Sequence, residues 1–356
     1  MTAPITRRTL LSLAGITGVG LVAAACSADG PGLRSSSTPG SSGAAPAGGT
    51  SSGSSPTGAA SARPSATTVE PAELPLAGGV TVTVTGSGLA VVKGVTVGGV
   101  AARDVVARAG KVTFTAPHQA MYTAGPADVA LFTEPVEPVP SANRISDGNG
   151  SQANDGQVGA TQDGAASTPT PTASATPDAS TAVATTTVAY AAQTAVDRQL
   201  EYAMRHWADY NTAEYGTMNP IGGDCANYVN QTLEARGWEQ RADWYNRAGG
   251  AEHSSTWTYC PAMDPWLDRN AATFGLTRRT SDERQHVAVG DIVMFDWNGN
   301  GSPDHTTIVS EVFTEADGTI RIKSASHNQD GPYRDLDEMI TVQHPGGTAW
   351  FHTIAA

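Results

Sequence analysis

Valine and threonine alternate through Val80-Thr81-Val82-Thr83-Val84-Thr85, the period-two pattern of a strand with one covered face. Gly86-Ser87-Gly88 interrupts it. Val95-Thr96-Val97-Gly98-Gly99, Lys111-Val112-Thr113-Phe114-Thr115 and Asp128-Val129-Ala130-Leu131-Phe132 follow at hairpin-like intervals. Short alternating strands between turn residues predict a small β-sandwich over residues 70–135. Beyond Tyr190 the period changes. Val196, Leu200, Ala203, Trp207 and Tyr210 recur at steps of three and four, one apolar stripe of a helix whose simplest role is core. Gly222-Gly223 then breaks the chain, and Asp224 stands in a capping position. Tyr228, Val229 and Leu233 predict the buried face of a second helix that begins at or beside Cys225 and ends at Gly237. Strand-like runs follow at 291–297, 305–313 and 319–323, the last two joined as a hairpin by Asp317-Gly318. Residues 190–356 thus read as an α+β domain.

Composition changes the picture between these segments. Residues 27–69 and 136–189 are dominated by Ser, Gly, Ala, Pro and Thr. They offer too little apolar surface to offset chain entropy, so both are expected to be disordered linkers. The formal net charge of -13, with no cluster of Lys and Arg, argues against a nucleic-acid partner. The first 26 residues read as an address. Thr6-Arg7-Arg8-Thr9-Leu10-Leu11 resembles a twin-arginine export signal, and the apolar stretch after it ends in Ala23-Ala24-Ala25-Cys26. Cleavage before Cys26 would leave a lipid-modified cysteine tethering the chain to a membrane; cleavage after the small residues would release it. The lipoprotein is the favoured reading, and an exported location follows from either.

The chemistry concentrates at Cys225 and His305. A thiolate, not a thiol, is the nucleophile, and both a helix N-terminus and a nearby imidazolium favour it. Cys225 sits at a predicted helix start, His305 heads a strand that can pack against it, and backbone N–H groups at the helix start, that of Cys225 included, can hold an oxyanion. A structural thiol, or a disulfide between Cys225 and Cys260, is the competing reading. Cys260 has no base-like neighbour in sequence and reads as structural. The hairpin about Asp317-Gly318 brings Ser326, His327 and Asn328 to the neighbourhood of His305. Because adjacent strand residues point to opposite faces, one of His327 and Asn328 is expected to orient the imidazole; His327 is preferred, and the hairpin arithmetic also allows Asn328. Trp238, Trp244, Trp257 and Trp266 would line a substrate cleft or fill the core.

These residues carry two resemblances. Gly78-Gly79-Val80-Thr81-Val82, Gly86-Ser87-Gly88-Leu89, Val97-Gly98-Gly99-Val100-Ala101 and Thr113-Phe114-Thr115-Ala116-Pro117 resemble the IPT/TIG immunoglobulin-like family, which implies a spacer or binding module. Gly222-Gly223-Asp224-Cys225-Ala226-Asn227-Tyr228, Val289-Gly290-Asp291-Ile292-Val293, Asp304-His305-Thr306-Thr307-Ile308-Val309 and Ser326-His327-Asn328 look like the amidase-domain family of bacterial exported proteins, akin to the NlpC-type and CHAP-type peptidases of the papain-like fold. Ala226-Asn227-Tyr228 departs mildly from that family's Thr-Asn-Phe-like run. The resemblance implies a papain-like cysteine hydrolase of amide bonds, with peptidoglycan or another cell-surface amide as substrate; a monomer without a cofactor is expected.

Two other functions use the same residues: a catalytically inactive surface-binding or scaffold protein, and a thiol acyltransferase. Asp296, Asn298, Asn300, Gly301 and Asp304 follow the spacing of a calcium loop, but Thr307 stands where a bidentate glutamate is needed, so a polar turn is expected rather than a metal site.

Overall fold

A computed structural model describes residues 63–141 and 178–355. The export segment 1–26 with Cys26, the first linker through residue 62 and residues 142–177 of the second lie outside the described residues.

The first part is built from two sheets. One runs in the order Ser65–Glu70, Thr81–Ser87, Lys111–Thr115, Arg103–Arg108; the other runs Glu73–Pro75, Ala184–Ala191, Gly125–Phe132, Gly94–Val97, Val100–Ala101. The predicted alternation is realised: Val82 and Val84 are buried while Thr81 and Thr85 are exposed. Those valines share one core with Val112, Phe114, Val95, Val129 and Leu131. Two strands come from residues expected to be linker. Ser65–Glu70 pairs with Thr81–Ser87, and Ala184–Ala191 pairs antiparallel with Gly125–Phe132 and parallel with Glu73–Pro75. In the second case Val188 and Tyr190 point inward from a run of Ala and Thr, so the period-two signal is carried by two residues in a composition that resembles linker.

The second part is α+β. Its six-stranded sheet runs Leu276–Thr280, Thr348–Ile354, Ile292–Asp296, His305–Thr314, Ile320–Ser326, Gly331–Asp335, every neighbouring pair antiparallel. The predicted helices are Ala195–His206 and Cys225–Arg236, which pack on each other, the second also against the His305–Thr314 strand. The first opens with a capping box of Thr194 and Asp197, and Tyr210 falls beyond its end. The second is buried on nearly every side from Cys225 to Leu233, polar residues included. Its Asn230 Oδ1 accepts the Trp244 indole N–H at 2.7 Å, and Asn227 Oδ1 accepts that of Trp257 at 2.9 Å. Trp244, Trp257 and Trp266 are therefore core, their polar edges satisfied inside it.

The two parts are in contact. Asp197, fully buried, accepts the Ala77 N–H at 2.7 Å as well as those of Gln193 and Thr194. Tyr122 Oη donates to the Ser310 carbonyl at 2.6 Å, and Tyr333 Oη to that of Ala120 at 2.5 Å. Glu311 lies 3.4 Å from His118 Nε2 and accepts the Ser141 N–H at 3.1 Å. The sandwich thus shares buried polar contacts with the α+β domain, and residues 184–189 of the expected linker form part of it.

Asp291 gives this fold a pH signature. Its carboxylate accepts the Ala288 and Ile354 N–H groups, each at 2.8 Å. Burial pushes the carboxyl up to about 6, against the pull of those bonds and of Arg236. A carboxyl that holds its proton more tightly folded than unfolded contributes fully below the unfolded value of about 4, and that contribution is lost as pH rises towards about 6. Relative to an Asp291→Asn variant, the wild-type protein should lose up to about 3 kcal/mol between those limits. Urea unfolding at both pH values measures the difference; a flat or rising one is incompatible with this account.

Candidate active site

Gly222 and Gly223 have φ of 131° and 122°, a region that side-chain-bearing residues avoid. A Cβ on Gly223 would also lie 3.1 Å from Asn328 Oδ1. This turn delivers Cys225 as the first residue of its helix. Asp224 occupies the N-cap position but makes no capping bond to the helix backbone. Its carboxylate instead accepts the Met218 N–H at 2.7 Å and the Asn227 side-chain amide at 3.0 Å, and meets His327 Nδ1 at 2.8 Å. His327 Nε2 lies 2.7 Å from the His206 carbonyl. Both ring nitrogens therefore face oxygen atoms. The ring stacks with Tyr210 at 3.4 Å and Tyr228 at 4.1 Å and is fully buried.

His305 opens its strand opposite Phe295 and is 4 % exposed. It is hydrogen-bonded to Cys225. Its Nε2 is buried with no hydrogen-bond partner among the described residues. The Cys225 thiol is held well below its ordinary range. A hydrogen bond from the Cys260 thiol is the largest cause of the lowering, helped by the positive charge and hydrogen bond of His305 and by the Thr306 N–H; burial opposes them.

Cys225 and His305 are thus brought together, while His327 and Asn328 act elsewhere. Neither His327 nitrogen is available to His305. Asn328 Oδ1 accepts the N–H of Asp224 and, at 3.0 Å, that of Cys225; its amide donates to Asn219 Oδ1 at 2.6 Å. Strand pairing stops at Ile308 and Ala325, and Asn328 adopts a left-handed φ of 68°, which carries both residues under the start of the Cys225 helix. The imidazole of His305 is held by packing, with Trp297 at 5.0 Å and Phe295 at 5.9 Å between ring centres, and Trp297 in turn lies against His344 at 3.6 Å. The Cys225 N–H, expected to face an oxyanion, is instead engaged by Asn328.

Cys260 is the residue that sequence reasoning left out of the site. Its thiol is hydrogen-bonded to Cys225 and lies 3.2 Å from the Pro303 carbonyl. It opens the helix Cys260–Arg269, and Pro261 behind it was a usable sign of a helix start. The two helix N-termini converge on a cleft of about 220 Å³ lined by Gly223, Cys225, Tyr259, Cys260, Ser302 and Asp304. Beside it the calcium-like loop closes on itself: Asp296 accepts the N–H groups of Gly299, Asn300 and Gly301, and Asp304 that of Trp297.

Two family models match the chain. The one described as "Putative amidase domain" covers residues 189–352 and the IPT/TIG domain covers 64–144, in the order expected. The "Uncharacterized protein YhbB" of Bacillus subtilis (strain 168) is 30% identical over 115 residues, 31% of this chain and 35% of that protein. The match therefore spans about a third of the relative's length. The amidase-domain match supports a hydrolase acting on amides.

Replacing His327 with Phe keeps the stacking but strands the buried Asp224 carboxylate. A loss on the order of 2 kcal/mol is expected in urea unfolding, because a buried carboxylate loses one of its hydrogen-bond partners. A loss below about 0.5 kcal/mol would show that the pair does not fix the helix start.

Proposed function

We propose that the C-terminal domain is a cysteine hydrolase in which Cys225 and His305 form the nucleophile–base pair. The observation that supports this most is the hydrogen bond between them at the start of a helix, on a sulfur whose ionised form is favoured. The thiolate attacks the amide carbonyl, forming a C–S bond. The protonated His305 imidazole then gives its proton to the departing amine as the C–N bond breaks. Water enters, gives its proton to His305 and splits the thioester, returning the acid and the thiolate. The helix N-terminus and the Cys260 thiol stabilise the sulfur anion between turnovers. The substrates are cell-wall peptides or related surface amides. The chain is exported under its twin-arginine-like segment and tethered through Cys26, so that the sandwich and the hydrolase face the wall.

Two measurements test the reading. Iodoacetamide should label Cys225 with a midpoint below the ordinary thiol value of about 8.5, because a lowered pKa keeps the thiolate present at lower pH; His305→Ala should move that midpoint up. Purified wall fragments incubated with the chain should yield products heavier by one water per cut, with the rate falling by about 10²-fold or more in His305→Ala and lost in Cys225→Ala. Labelling without cleavage would favour the scaffold reading, and cleavage that couples an added amine in place of water would favour acyl transfer.

A further inference from the structure

Cys260 is left without a covalent task by the hydrolytic cycle, yet it lines the same cleft as the nucleophile. Both cysteines are unpaired, they are 8% (Cys225) and 5% (Cys260) exposed, they line the same cleft and they are hydrogen-bonded to each other. Each opens a helix. Cys225 follows two glycines in conformations other residues avoid, and Cys260 lies at the junction of the short helix Ser255–Thr258 with Cys260–Arg269, with an extended residue, Tyr259, between them. We propose that Cys260 is the resolving thiol of a reversible disulfide with Cys225, formed under attack by a hydroperoxide, that closes the active site and spares the nucleophile irreversible oxidation. The proposal rests on two free thiols lining one cleft and on the Cys225 thiol being reactive, and on nothing about the amide substrate.

The steps balance. The Cys225 thiolate attacks the outer oxygen of the hydroperoxide; an S–O bond forms, the O–O bond breaks and an alkoxide or hydroxide leaves, to be protonated. The sulfur is now a neutral sulfenic acid. Cys260 loses its proton to solvent and its sulfur attacks that of Cys225. The S–S bond forms, the S–O bond breaks, and the departing hydroxide takes a proton back from solvent and leaves as water. Two electrons pass from the two sulfurs to the peroxide bond. The order is favoured by the site. While Cys225 is anionic, its hydrogen bond with Cys260, together with burial and the Cys225 charge, keeps the Cys260 thiol protonated. Once Cys225 is oxidised, that charge is gone and Cys260 can ionise. A dithiol reductant reverses the reaction by thiol–disulfide exchange. Without Cys260, the sulfenic acid would be open to further oxidation to sulfinic and sulfonic acids, which dithiols do not reduce.

The test uses the purified chain and hydrogen peroxide, followed by non-reducing peptide mapping. The expected product is a cross-link between the peptides carrying Cys225 and Cys260, lighter by two hydrogens than their sum, with Cys225 alkylation abolished and then restored by dithiothreitol. In Cys260→Ser and Cys260→Ala, alkylation recovered after the same cycle should be at least about 10-fold lower, with the Cys225 peptide heavier by two or three oxygens. Wild-type mapping needs no variant, so a folding defect in either substitution does not shield the proposal. If Cys225 is reactive in the reduced protein but yields no such cross-link, the switch is overturned and the hydrolase reading stands. If Cys225 is inert when reduced, both fail.

Discussion

The start of the Cys225 helix is the constraint on which the geometry of this cleft depends, and it holds a thiol, on a residue 8% exposed, well below its ordinary range. Burial alone would protonate it. Three groups reverse that: the Cys260 thiol, the His305 imidazole and the Thr306 N–H, joined by the partial positive charge of a helix N-terminus. None reaches the sulfur unless the helix begins at one residue and no other. The surroundings of Cys225 answer that requirement. Gly222 and Gly223 allow the turn, Asn328 takes up the two N–H groups at the helix start, and Asp224 is fixed by His327, Asn227 and the Met218 N–H.

Placing a carboxylate and an imidazole together at 1% and 0% exposure is costly in desolvation, and such pairs often add little to net stability. Their value here is positional. A hydrophobic pair of the same volume would tolerate a shift of the helix by a fraction of a turn; a carboxylate with three donors does not, since any shift leaves one of them unpaired. The tryptophans act on the other side of the same helix. Trp244 and Trp257 each direct an indole N–H at a particular asparagine, so rotation about the helix axis is resisted as translation is. This explains a helix that is buried almost all round and yet carries four polar side chains between Asn227 and Thr232.

That arrangement sets what the sequence could disclose. Strands with a valine–threonine alternation, and the helix behind a glycine turn, are local signals, and they appear in the fold as read. The pairing of Cys225 with His305 was legible because each residue announced its element. The roles of His327 and Asn328 were not. Hairpin arithmetic assumes that pairing continues, whereas it stops at Ala325 and a left-handed residue turns the chain beneath the helix. The partner of His327 is Asp224, about a hundred positions away, and no spacing in the sequence encodes it. Cys260 was missed because its partner is another thiol rather than a base, and the strand Ala184–Ala191 because its two inward residues stand in a composition that reads as linker.

The sandwich enters the same chain of constraints from behind. Asp197 binds the Ala77 N–H at the start of the helix Ala195–His206, and the carbonyl at the end of that helix, on His206, receives His327. On the sheet, Tyr122 grips the carbonyl of Ser310, five residues along the strand that begins with His305, a distance of roughly 17 Å. The sandwich thus touches both elements that flank the cleft, the helix that steadies the turn before Cys225 and the strand that carries the His305 imidazole. A domain with no chemical groups of its own in the cleft can still set the geometry there, because a helix and a central strand are stiff over these lengths. On that argument the sandwich is part of the frame of the site, and it cannot be treated as a spacer joined to a finished enzyme.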